Sequence, residues 1–101
     1  MQAYSKLFNQ AVDLLNSKSF SDSIELFKRD LEENPNNPTT YNNIGVAQTH
    51  LGIGQKDKPL LESAIQHFLK AIAMSELNPG KSYPIAKANL KWAREELSKL
   101  S

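Results

Sequence analysis

Apolar residues recur along this chain at spacings of three and four, the period of one helix face. Tyr4, Leu7, Ala11, Leu14 and Leu15 predict a first helix over 4–16, which the polar Ser17-Lys18-Ser19 breaks. A second helix, capped by Ser21 or Asp22, is predicted to run to about Glu33. Ile24, Phe27 and Leu31 form its stripe, with Phe20 just ahead as a hydrophobic staple. Asn34-Pro35-Asn36-Asn37-Pro38 stops it, because proline excludes helical geometry from the residue before it and asparagine tolerates turns. Pro38 suits the first position of a third helix, with Asn37 as its cap and Tyr41, Ile44, Gly45, Ala47, Gln48 and Leu51 along it. Gly45 inside that helix costs about 1 kcal/mol relative to alanine, and close approach by a packed neighbour is the simplest compensation. Gly52-Ile53-Gly54-Gln55-Lys56-Asp57-Lys58 is predicted as a polar loop, or as an extension of the two flanking helices with a longer turn. Pro59 then opens a fourth helix that buries Leu61, Ala64, Ile65, Phe68, Ala71 and Ile72, and Leu77-Asn78-Pro79-Gly80 ends it. From Ser82 to Leu100, the residues Tyr83, Ala86, Leu90, Ala93, Leu97 and Leu100 form a 3-4-3-4-3 stripe. A single stripe suits a helix that packs on the fourth and covers the open end of the stack.

Two stretches copy one another. Leu7, Ala11 and Leu14 precede Tyr41, Gly45 and Gln48 by 34 positions, whereas Ser23, Ile24, Phe27 and Leu31 precede Ala64, Ile65, Phe68 and Ile72 by 41. The first offset is the period of a helix–turn–helix repeat of about 34 residues, and the second is the same period with seven residues inserted. Such a repeat cannot bury its apolar face alone; it stacks on a neighbour and leaves an open surface. That favours a binding module over an enzyme.

These residues resemble tetratricopeptide repeats. The family pattern is a bulky residue, Leu-Gly and an aromatic on the first helix, then Ala-x-x-x-Phe and Pro on the second. The second copy reads Tyr41-x-x-Ile44-Gly45-x-x-Gln48, then Ala64-x-x-x-Phe68-x-x-Ala71. The first reads Leu7-x-x-Gln10-Ala11-x-x-Leu14, then Ser23-x-x-x-Phe27, and closes on Pro35. Gln48 in place of the aromatic, Asp30 in place of the second small residue, the insertion and a late Pro79 depart from the pattern. The resemblance implies one all-α domain over 1–101, a superhelix of antiparallel helix pairs. Its first repeat spans about 4–37, its second about 38–79 with an insertion near 52–58, and a capping helix about 82–100.

The resemblance also implies a non-catalytic scaffold or adaptor that binds a peptide or protein segment in a concave groove lined by the first helix of each repeat. By position the groove residues are Ser5, Phe8, Asn9 and Val12, then Thr39, Asn42, Asn43, Val46 and His50. Phe8 and Val12 lie about a third of a turn off the Leu7–Ala11–Leu14 face, so they are either a second buried edge or an exposed apolar patch. Asn9, Asn42 and Asn43 carry amides able to bond an extended backbone. One subclass of the family clamps C-terminal carboxylates with lysines, an arginine and asparagines. Asn43 matches one clamp position, but Phe8 and Val12 stand where the first lysine and its asparagine belong, so that clamp is incomplete. Trp92 falls off the fifth stripe, beside Ile85, Ala88 and Asn89, and either packs on the third helix or anchors a guest at the end of the groove. Lys87, Lys91 and Arg94 lie close to it and are either solvated or face an acidic partner.

Composition narrows the alternatives. Of 101 residues, 40% are apolar and 23% charged, ordinary values for a soluble domain. Twelve basic and eleven acidic residues leave a net charge of +1, so neither nucleic acid nor membrane is an expected partner. The chain has no cysteine, no apolar run near the roughly 18 residues that span a bilayer, and no signal-peptide core at its start. A cytoplasmic setting is the expectation. No cofactor or metal ligand set emerges. His67, beside Phe68, is expected to be partly exposed, and His50 is either a partner of its helix's C-terminal end or a ligand contact. Gly52-Ile53-Gly54 follows no strand and lacks the Gly-Lys-Ser/Thr of a phosphate loop. Glu32-Glu33 and Glu95-Glu96 are neighbours that point apart on a helix, as solvated carboxylates do. Two repeats plus a cap fall below the roughly three usually needed for independent stability. A self-associating unit, such as a homodimer, or a piece of a longer solenoid is therefore the alternative to groove binding.

Overall fold

A computed structural model describes residues 5–77 and 84–100, folded as α1 (Lys6–Asn16), α2 (Phe20–Glu33), α3 (Pro38–Gln55), α4 (Lys58–Glu76) and α5 (Pro84–Lys99). The protein is all-α, with no strand among the described residues. Tyr4, Ser82, Tyr83 and the Asn78-Pro79-Gly80 stop lie outside them, as do the predicted repeat end at 79 and cap start at 82.

Side-chain caps fix where three helices begin. Ser5 Oγ accepts the Phe8 N–H at 3.0 Å, Asn37 Oδ1 accepts the Thr39 N–H at 3.1 Å, and Asp57 Oδ1 accepts the Leu60 N–H at 3.1 Å. Asn37 and Pro38 open α3 as the sequence predicts. The start of α2 differs: the helix begins at Phe20 behind Ser19, so Ser21 and Asp22 lie inside its first turn rather than capping it. Phe20 is thus a helical residue whose ring stacks on α3, and not a staple.

Of the two readings of 52–58, the structure bears out the extension of the flanking helices, though not the longer turn. Gly52 to Gln55 continue α3, and Lys58 already belongs to α4. Both helix pairs turn through the same motif, with a lysine in the left-handed region, Lys18 at φ 67° and Lys56 at φ 52°. Ser19 N–H donates to Leu14 O and Lys18 N–H to Leu15 O, while Asp57 N–H donates to Gly52 O and Lys56 N–H to Ile53 O. This is the Schellman pattern, which satisfies the last carbonyls of a helix. Lys56 follows Lys18 by 38 positions, four more than the first offset and three fewer than the second. The insertion therefore adds four residues to the end of α3 and three to the start of α4, about one helical turn each, and leaves the turn itself unchanged.

Helices pack chiefly on their sequence neighbours. The α3/α4 interface is the most extensive, followed by α1/α2, α4/α5 and α2/α3. In addition α3 touches both α1 and α5, whereas no Cα atom of α2 comes within 8 Å of one in α4 among the described residues. The envelope measures 42 × 29 × 19 Å, and its thin dimension matches two helix diameters of about 10 Å each.

Small residues allow the close contacts. A β-carbon at Gly45 would stand 2.6 Å from the Phe68 ring, so the ring lies directly on the α3 backbone. Full burial of a phenylalanine contributes roughly 1.5–3 kcal/mol, which outweighs the ~1 kcal/mol helix penalty of glycine. In the first pair Ser23 and Ala11 are fully buried, and Ser23 Oγ donates to Ala11 O at 2.9 Å. Phe8, Ala11, Phe27 and Ile44 form one core cluster, and Ala64, Ile65, Phe68, Leu90 and Ala93 a second. Asp30, in the register of Ala71, is also buried, and its carboxylate accepts from the Ser5 hydroxyl, the Asn34 amide at 3.0 Å and the Thr40 hydroxyl at 3.4 Å. It joins the start of α1 to the end of α2 and the start of α3.

Gly45→Ala is expected to lower stability by about 1–2 kcal/mol, the overpacking strain less the helix-propensity gain. Gly54→Ala meets nothing within 4 Å and should be neutral or stabilising by up to ~1 kcal/mol, with urea unfolding of both variants as the check. Asp30→Ala removes a charged acceptor from buried donors and should cost about 2 kcal/mol in the same measurement.

Candidate partner-binding face

The register of α3 decides what this helix offers to solvent. Gly45 and Gly52 meet Phe68 and Leu61 of α4. Ile44 joins the cluster containing Phe27 of α2. Asn42, Val46 and His50 turn toward α5: Asn42 Oδ1 accepts from the Asn89 amide at 3.0 Å, Val46 packs on the cluster of Leu90 and Ala93, and His50 meets Trp92. Thr39 and Asn43 remain half-buried and His50 exposed, at spacings of four and seven along one edge of the helix. Gly54 continues that edge into open space.

The predicted groove residues therefore divide. Phe8 is 4% exposed, its ring 5.6 Å from that of Phe27 at 67°, so it is a buried edge and not a patch for a guest. Asn42 is likewise buried, its side chain committed to Asn89. The Ser5 hydroxyl is engaged as the α1 cap and as a donor to Asp30. Val12 and Val46 are half-buried edges of the two clusters. Asn9 and His50 are exposed, and Thr39, Asn43 and Trp92 are half-buried.

Phe20, His50 and Trp92 form a row of rings across α2, α3 and α5. The Phe20 and His50 rings stack at 4.8 Å and 9°, and Trp92 meets His50 edge to face at 5.1 Å and 66°. Burial holds the His50 pKa below its ordinary 6.5, and the nearby Lys18 lowers it further. Both effects favour the neutral imidazole in this row. Trp92 thus packs on α3, while keeping part of its indole in solvent.

Two polar groupings escaped the sequence pattern. Gln48 is buried and holds His67: Gln48 Oε1 lies 2.8 Å from His67 Nδ1, and Gln48 Nε2 donates to Ser63 Oγ at 3.0 Å. Ser63 O lies 3.0 Å from the same Nδ1, so two acceptors assign the proton to that nitrogen. Burial lowers the His67 pKa, the Ser63 carbonyl opposes this, and Lys28 lowers it again. The Tyr41 ring lies beside His67 at 6.3 Å and beneath Lys70 Nζ at 5.9 Å. The role of Gln48 is invisible to periodicity, because its partner His67 lies 19 positions away. The other grouping is the Asp30 hub, where a carboxylate occupies a small-residue position.

Among the described residues no three His, Asp or Glu side chains group as a metal site, and no helix is long and apolar enough to cross a membrane. No known family model matches the chain, and no curated protein matches it either.

Both histidines have folded-state pKa values below 6.5, so the unfolded chain binds more protons just below that value. Stability should be fully present above about pH 6.5 and fall as the pH drops through the unfolded value toward the folded ones. His67→Gln should flatten that fall in melting temperature between about pH 7.5 and 5.5; an unchanged slope would remove His67 from the account.

Proposed function

We propose that the chain is a tetratricopeptide-type module that binds a peptide or protein segment across the face formed by α1, α3 and α5, without catalysis. One observation carries this reading. Among the described residues the backbones of the first helices of successive units come within 8 Å, Cα to Cα, α1 with α3 and α3 with α5, while those of α2 and α4 do not. Unequal spacing curves a stack toward its closer side, which supports reading the face of α1, α3 and α5 as the hollow one. The residues available there are Asn9, Thr39, Asn43 and His50, with Val12 and Trp92 at its edges. Amides and hydroxyls suit the backbone of an extended guest, and the Trp92 ring suits an apolar side chain.

Lys87, Lys91 and Arg94 on the outer side of α5 give the stack a charged end rather than an apolar one. Terminal units with a polar outer face cap a repeat array. Self-association through α5 would set these cations against their own copies, so sedimentation equilibrium should return a monomer.

Peptides selected from a displayed random library, then titrated against purified protein, test the binding reading. Thr39→Ala combined with Asn43→Ala and His50→Ala should weaken a selected peptide about tenfold or more, with far-UV circular dichroism unchanged. Equal affinity in that variant, or no peptide recovered, contradicts it.

A further inference from the structure

The outer face of α5 has a chemistry that neither the core nor the hollow face uses. Leu90, Ala93 and Leu97 mark its α4 side, Ala86 is also buried, and Asn89 and Trp92 mark its α3 side. The remaining face carries Lys87, Lys91 and Arg94 at positions i, i+4 and i+7, a row about 10 Å long. A shallow depression of about 310 Å³ runs along it, lined by these three residues together with Leu90, Glu95 and Ser98. The ion pairs among the described residues are Arg29–Glu25 and Lys99–Glu96, so no carboxylate of a described residue lies within pairing distance of the three exposed cations.

We propose that this face docks an acidic amphipathic helix from a partner protein, laid alongside α5. Carboxylates repeating at three and four residues match the spacing of the cations, and each desolvated pair is charge-assisted. The edge of Leu90 and the aliphatic stems of the lysines give the floor an apolar strip for one aliphatic side chain of the guest. Glu95 breaks the positive field at one end and sets the direction of the guest, because a basic residue there gains a partner. The same glutamate repels a phosphate backbone. Among the described residues no aromatic ring lines the row for base stacking, so a helix fits better than a single-stranded nucleic acid. The site is separate from Thr39, Asn43 and His50, and it stands or falls independently of the hollow-face reading.

The test uses the full chain and a fluorescein-labelled synthetic helix of about 16 residues with glutamates at i, i+4 and i+7 around one leucine. Anisotropy titration at low salt should show saturable binding that weakens as ionic strength rises toward about 0.15 M. Lys87→Glu with Lys91→Glu and Arg94→Glu should reduce affinity more than about tenfold, and the corresponding glutamine variant by less. The Thr39→Ala, Asn43→Ala, His50→Ala variant should bind the helix like the parent. A peptide with glutamine for glutamate should lose binding. Wild-type affinity in both charge variants, or tighter binding of single-stranded DNA of equal charge than of the helix, overturns the proposal. Equal loss in the Thr39, Asn43, His50 variant also overturns it, because the helix would then be using the hollow face.

Discussion

The ring of Phe68 lies so close to the backbone of α3 that no β-carbon fits at position 45 without movement. This contact sets the distance between α3 and α4, which form the most extensive interface among the described helices. Everything else is arranged around that pair. The second core cluster builds outward from Phe68 to Leu90 and Ala93, which seats α5. On the other side, Ile44 of α3 enters the cluster of Phe27 and Phe8, which seats the first pair. A glycine that weakens the isolated helix thus permits the packing that holds the fold, since the burial it allows exceeds its propensity penalty.

The two helix pairs reach similar geometry by different means. The second relies on apolar closeness, with Ala64, Phe68 and Ala71 all fully buried. The first places Asp30 in the register of Ala71 and must satisfy a buried carboxylate, which it does with donors from the starts of α1 and α3 and the end of α2. Hydrogen bonds of this kind are directional, so they fix the relative rotation of three helix ends as well as stabilising them. Gln48 and His67 supply a comparable polar tie across α3 and α4. No buried side-chain polar atom among the described residues lacks a partner.

Periodicity made most of the fold legible, because apolar spacing reports the buried face of each helix. Pro38 with Asn37, the Gly45 contact and the stripe of α5 could all be read from local residue chemistry. The turn at Lys56 could not. A lysine carries no turn signal, and Gly52 and Gly54 suggested a loop where each is a helical residue, one giving way to Leu61 and the other at the surface. The candidate face was legible only as an edge. Phe8 and Asn42 are polar or apolar according to sequence, but whether they meet solvent depends on partners 19 and 47 positions away, Phe27 and Asn89. Stacking of Phe20 on His50 has the same origin, in contacts that no local pattern encodes.

Under the proposed reading, a stack whose members touch mainly their neighbours leaves one side open for a partner. Such a stack also predicts graded rather than uniform stability. Native-state hydrogen exchange measures this most directly. The account predicts the slowest exchange in the central turns of α3 and α4, with α1 opening at lower free energy. Slowest exchange in α1 and α2, or one common opening free energy for all five helices, would contradict it.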